Sequence, residues 1–169
     1  VAILNPEHLF AQAAALVRPS SGGQPRQIDL RRAISSAYYG IFHATLIAAA
    51  DEVVGATKRS APLYGLVYRS VDHRKLRDVC LEVRKPQPST RYAPYVPAGG
   101  FGAAIAAYAV SVVELQEKRY SADYNPLVSV TLSDARLAIA TARTAVDRFT
   151  TSSTAGRSAF LMLLLFAPR

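Results

Sequence analysis

Between Ile28 and Val54 the chain has no proline and one glycine, Gly40, and its apolar residues recur at helical spacing: Leu30, Ala33, Ile34, Ala37, Ile41, Ala44 and Ala48. This wide, alanine-rich stripe predicts a long helix over 28–54 that neighbouring helices can approach closely. Asp29 is the expected N-cap and Gly55 the expected stop. The polar exceptions carry the information. Arg32, Tyr39 and His43 fall within about 40° of one another on one side of that helix, although Arg32 and His43 are about 16 Å apart along its axis. Two readings follow: a core helix in which Tyr39 and His43 each satisfy one hydrogen bond, or a helix whose His43 faces a groove.

The remaining periodic stretches are also helical. Asn5-Pro6-Glu7 reads as an N-cap with proline at the first helical position, and it opens a short helix over 5–17. The connector PSSGGQPRQI follows it. No element is assigned to 56–70. His73 to Arg84 reads as a helix capped by Asp72, with Leu76, Val79, Cys80 and Val83 inward. Residues 85–100, KPQPSTRYAPYVPAGG, read as a proline-rich loop without regular structure. Ser133 or Asp134 starts a further helix that carries Ala135, Ala138, Ile139, Ala142, Val146 and Phe149 inward. The closing segment, 157–169, is apolar all round, so as a helix it needs burial on several sides, by docking on the bundle or in a dimer seam.

The stripe of the helix predicted over 101–124 runs Phe101, Ile105, Tyr108, Val112, Leu115, Arg119, Ala122, in alternating steps of 4 and 3. Arg119 therefore stands where a core hydrophobe is due. A guanidinium there must be paired or must face a cleft, and Asp123, at i+4, is its nearest partner in sequence. Helices without a recognisable strand predict an all-α, up-and-down bundle of five to six helices in a single domain over 1–169.

Composition sharpens this only in part. Lys and Arg outnumber Asp and Glu by 20 to 12, for a net charge of +8. Most of the cations are arginine, which suits bidentate contact with phosphate, so an anionic partner, nucleic acid first, is expected. Arg74 and Arg77 on the helix over 73–84 are either a solvated face or a phosphate-contacting ridge. Arg91, with Tyr92 and Tyr95 in the proline-rich loop, is a base-stacking or loop-pinning group. The single cysteine, Cys80, and three dispersed histidines give no zinc motif and no intrachain disulfide. No metal or cofactor is expected. No signal-peptide pattern opens the chain, and its longest apolar run, over 159–167, is short for a bilayer span. A cytoplasmic protein without a membrane partner is the expectation.

Two stretches together resemble a family. Arg32-Ala-Ile-Ser-Ser-Ala-Tyr-Tyr-Gly-Ile-Phe-His43-Ala resembles the R-A-x-x-x-A-Y-Y-A-x-F-H-A segment of bacterial HEPN-domain proteins, and Arg119-Tyr-Ser-Ala-Asp-Tyr124-Asn resembles their R-x-x-A-D-Y-D segment. Between them, His73 to Val79 is loosely similar to the family's H-x-x-l-r-x-x-F piece. The resemblance spans roughly 28–150 and leaves out the proline-rich loop and the apolar tail.

It implies a helical bundle, often a homodimer with a groove between protomers. It also implies a toxin or defence-associated RNA-acting protein, in many relatives a metal-independent endoribonuclease, sometimes encoded beside a nucleotidyltransferase antitoxin. The family's usual signature is Arg, four to six residues, then His. In that chemistry a ribose 2′-hydroxyl attacks the adjacent phosphate, arginine stabilises the charge on phosphorus and histidine moves protons. This chain departs from the signature: no His follows an Arg at that spacing, and after Arg119 the place is taken by Tyr124, a residue type with a pKa near 10 and a poor base at neutral pH. Arg119, Asp123, Tyr124 and His43 are the expected catalytic set, and Arg32, Tyr39, Arg74, Arg77 and Arg91 the expected nucleic-acid contacts. Either His43 completes a site with Arg119 from the other helix, or the domain is catalytically inactive and binds RNA, a nucleotide or a nucleotidyltransferase.

Overall fold

The computed structural model describes residues 3–18 and 23–168. The first four residues of the connector PSSGGQPRQI and the last residue of the apolar segment lie outside them. Among the described residues there are seven α-helices and no strand: α1 (Pro6–Leu16), α2 (Gln27–Val54), α3 (Pro62–Tyr68), α4 (His73–Val83), α5 (Ala103–Tyr124), α6 (Leu132–Thr150) and α7 (Thr154–Leu165). Single 3-10 turns stand at Ala56–Lys58 and Ala93–Tyr95, so the proline-rich loop is not wholly irregular.

α2 is the axis. It packs against α1, α3, α5, α6 and α7, while α4 rests on α5 and α7. By length and hydropathy α2 could cross a bilayer, but 67% of its most apolar window is buried within the bundle. Its alanines and Gly40 permit the close approach: a Cβ on Gly40 would sit 2.4 Å from the Phe10 ring of α1. At the other end of the core, Tyr108, Phe149 and Phe160 stack α5, α6 and α7 together, with ring centroids 4.6–5.8 Å apart. A small second cluster of Ala50, Val54 and Tyr64 fastens α3 to the end of α2.

The caps follow the sequence with two corrections. Asn5 Oδ1 accepts from the Glu7 amide at 3.0 Å, and Asp72 Oδ1 from the Lys75 amide at 2.7 Å. α2 starts at Gln27, so Asp29 is not its N-cap; it lies in the first turn and pairs with Arg26 at 2.8 Å. There it still favours the positive end of the helix dipole. α6 starts at Leu132 rather than at Ser133 or Asp134, because Thr131 and Asp134 form a reciprocal capping box. The helix count exceeds five to six because 62–68, left unassigned in the sequence, forms α3.

The apolar segment becomes α7. It buries Phe160, Leu161, Leu163 and Leu164 in its own bundle, while Phe166 at its end stays exposed. Gly156 lies against the chain entering α5: a Cβ there would come 2.2 Å from the Phe101 carbonyl oxygen.

Candidate functional site

Where the C-terminal third of α5 runs beside the N-terminal half of α2, an open groove of about 340 Å³ is lined by Ile28, Arg31, Arg32, Ser35, Tyr39, Arg119, Ala122, Asp123 and Tyr124. Arg119 sits at its base with a side chain 13% exposed. Its Nη2 donates to the Tyr39 hydroxyl at 2.7 Å. Its Nε lies 2.9 Å from Asp123 Oδ2, an ion pair, yet its N–H is turned off the carboxylate and makes no hydrogen bond. Nη1 is also hydrogen-bonded to nothing among the described residues and, unlike Nε, is not buried, so it is the donor open to a ligand.

The rings of Tyr38, Tyr39 and Tyr124 surround the guanidinium at 5.8, 5.3 and 5.6 Å, within cation–π range. Burial alone would lower the Arg119 pKa. The Tyr39 hydrogen bond and the neighbouring Tyr39, Asp123 and Tyr124 more than offset it, and the net direction is upward. The charge is fixed.

Two residues that periodicity does not single out hold this arrangement. Ser35, buried on α2, donates to Asp123 Oδ1 and also lies 3.2 Å from the Arg31 carbonyl. With one proton to give, it favours the charged acceptor. Arg31 spends its guanidinium on the carbonyls of Ala122, Pro126 and Val128, which ties the end of α5 and the following turn to α2. A cation there also complements the C-terminal end of the α5 dipole. Arg32, exposed on the groove wall, has no ion-pair or hydrogen-bond partner among the described residues.

His43 does not line the groove. Its Nδ1 is 2.6 Å from the Tyr68 hydroxyl, its ring stacks on Tyr39 at 6.2 Å, and burial lowers its pKa. His73, which is not among the expected site residues, lies within the aromatic cluster of α2. Its Nδ1 is 2.8 Å from the Tyr38 hydroxyl and its ring is 4.0 Å from Phe42 and 5.7 Å from Tyr39. Burial first, then the charges of Arg119 and His43, lower its pKa, with Asp72 opposing. Burial keeps the phenols of Tyr38 and Tyr68 protonated. They are the natural donors to Nδ1, which leaves each imidazole neutral with its proton on Nε2.

The groove thus gathers Arg119, Asp123, Tyr124, Arg32 and Tyr39, and leaves four expected residues outside its lining. Besides His43 these are Arg74, in a long 3.8 Å pair with Asp78, Arg77, 3.0 Å from Glu117, and Arg91, whose Nε donates to the Pro168 carbonyl at 2.5 Å. In the loop, Tyr92 packs against the core while Tyr95 stays exposed. Among the described residues no three His, Cys, Asp or Glu side chains are grouped to hold a metal ion. No family model, curated protein or solved structure matches the chain.

Proposed function

We propose that this chain is a HEPN-like, RNA-acting module of the toxin or defence kind, and that it binds RNA or another phosphate-bearing ligand in the groove between α2 and α5. The observation that carries this reading is Arg119: a fixed charge, oriented by Asp123 and Tyr39, with Nη1 unpartnered in a groove that Arg32 also lines. Three guanidiniums face one carboxylate there, so the field favours an anion. The Tyr124 and Tyr120 rings, 5.0 Å apart and both well exposed, offer stacking faces for bases beside that phosphate contact.

Binding without cleavage is the reading that the geometry favours, because no imidazole lines the groove. A metal-independent ribonuclease is the second reading. Its specific support is His73, neutral and only one aromatic layer behind Arg119 through Tyr38 and Tyr39. Exposed Ile28, Tyr120, Tyr124 and Leu127 lie on or beside the same groove, and they are the apolar surface on which a homodimer or a nucleotidyltransferase partner would close.

The test is a purified-protein assay on a single-stranded RNA oligomer that reads binding and cleavage separately. Arg119→Ala should weaken binding at least fivefold and flatten the dependence of log affinity on log salt by about 0.7 for each phosphate that is no longer neutralised. His43→Ala should leave binding unchanged. Cleavage that vanishes in His73→Ala would select the ribonuclease reading. Binding that is unchanged in both Arg119→Ala and Arg32→Ala would refute the groove as the RNA site. Sedimentation of the same sample reports the dimer.

A further inference from the structure

A second hollow, about 440 Å³, lies on the other half of α2 and shares no lining residue with the Arg119 groove. That volume falls in the range of small-ligand sites. Ala44 and Ala48 keep the α2 wall recessed, while Ile47, Val146 and Phe149 supply apolar surface.

Its two most buried lining residues are Thr45 and Tyr108, each 1% exposed. Thr45 Oγ1 donates to the Ile41 carbonyl at 2.8 Å, and Tyr108 has no other acceptor, so Tyr108 is the donor in the hydrogen bond between them. Burial holds this phenol protonated. The inner end is therefore neutral and has no charge to receive an ionised group.

The mouth is different. Asp51 is held by Arg59 and Tyr64, and Glu7 gives one carboxylate oxygen, Oε2, to Arg143, which leaves Oε1. The cations have more to give. Arg157 uses only Nη1, on the carbonyls of Thr150 and Ser152, which leaves Nε and Nη2. Arg59 uses Nε and Nη2, which leaves Nη1. The unmet hydrogen-bonding capacity at the mouth is mainly N–H donors on positive groups, three guanidinium nitrogens against the one free oxygen of Glu7.

We propose that this hollow is a binding site for a small amphipathic carboxylate. The apolar body lies against Ile47, Val146 and Phe149, and the carboxylate stays at the mouth on Arg157 and Arg59. Head-inward binding would strand the charge against a neutral phenol in an apolar wall.

Octanoate, octanol and octylamine share one apolar body and differ in the head group, so titrating each into the full chain by calorimetry tests the assignment. Octanoate should bind about tenfold more tightly than octanol, the equivalent of one net charge-assisted contact, and octylamine no better than octanol. Arg157→Gln should bring octanoate down to the octanol level. Ala48→Phe, which fills the hollow, should abolish octanoate binding and leave RNA binding by the Arg119 groove unchanged. If Ala48→Phe does not fold, the Arg157→Gln comparison and its Arg59→Gln counterpart still decide. Octanoate and octanol binding equally to the wild-type chain, octanoate binding that survives Ala48→Phe, or no binding of any of the three, would each overturn the proposal.

Discussion

Breaking the Arg119–Asp123 pair tests whether that ion pair is a structural part of the bundle as well as the base of the groove. An exposed ion pair contributes about 0–1 kcal/mol, whereas removing one partner of a fully desolvated pair costs about 3–5 kcal/mol. The two side chains are 13% and 23% exposed, which places this pair between those limits. Arg119→Met keeps the stripe apolar. It leaves Asp123 with its Ser35 hydrogen bond and partial hydration, for an expected cost of about 1–2 kcal/mol. Asp123→Asn keeps an acceptor for Ser35 but strands a guanidinium with only Tyr39 and ring faces, and should cost about 2–3 kcal/mol. Because each variant already loses the shared interaction, the double variant should be more stable than additivity predicts, by about 1–2 kcal/mol. Urea unfolding measures all four proteins: with a slope of about 2 kcal/mol per molar, Asp123→Asn moves the midpoint down by about 1 M. The coupling should change little with added salt, since screening acts weakly on partly buried charges. A coupling below about 0.3 kcal/mol, within the scatter of additive sites, would refute the reasoning and place Arg119 in solvent.

Gly156→Ala drives a methyl into the Phe101 backbone oxygen, which cannot rotate away. Against a helix-propensity gain of about 1 kcal/mol, overpacking of about 1–3 kcal/mol or more should win and lower the melting temperature by several degrees; an unchanged melt would mean that α7 can shift freely. Burial holds His43 and His73 below the ordinary histidine value of 6.5. Just below that pH the unfolded chain binds more protons than the folded one, so stability is fully present above about pH 6.5 and is lost as pH falls through the folded values. NMR titration of the two imidazoles checks this, and midpoints at or above 6.5 for both would refute it.

How much of the fold was legible depended on whether the signal was local. α1, α2, α4 and α5 could be read to within one or two residues, because each carries a periodic stripe and has side-chain or glycine punctuation at an end. The start of α6 moved because its capping box outweighed the serine and aspartate just inside it. α3 was invisible: seven residues, with Pro62 at the start and Gly65 in the middle, are too few for a period to emerge. What holds them is Tyr64, buried at 1% against the end of α2 and donating to Asp51 at 2.8 Å, a tertiary contact that no local pattern announces.

The same distinction decides the site. Arg119 and Asp123 stand one turn apart on one helix, so a break in a single stripe exposed both. Ser35, which holds Asp123, is 88 residues away, and Arg31 reaches carbonyls 91 to 97 residues away; only the packing of α2 on α5 brings them together. His43 shows the limit most sharply. Angular arithmetic on α2 set it on the same side as Arg32 and Tyr39, and that remains consistent with its ring stacking on Tyr39. A helical wheel, however, does not say what covers each turn of the helix. The turn bearing His43 meets Tyr68, the last residue of α3, in the very stretch to which the sequence assigned no structure. The histidine lies outside the groove lining because an unread helix supplies its hydrogen-bond partner. His73, at the start of α4, comes in behind Tyr39 instead. Any proton transfer at Arg119 must therefore be sought first at His73, through the Tyr38 and Tyr39 layer, and only then at His43.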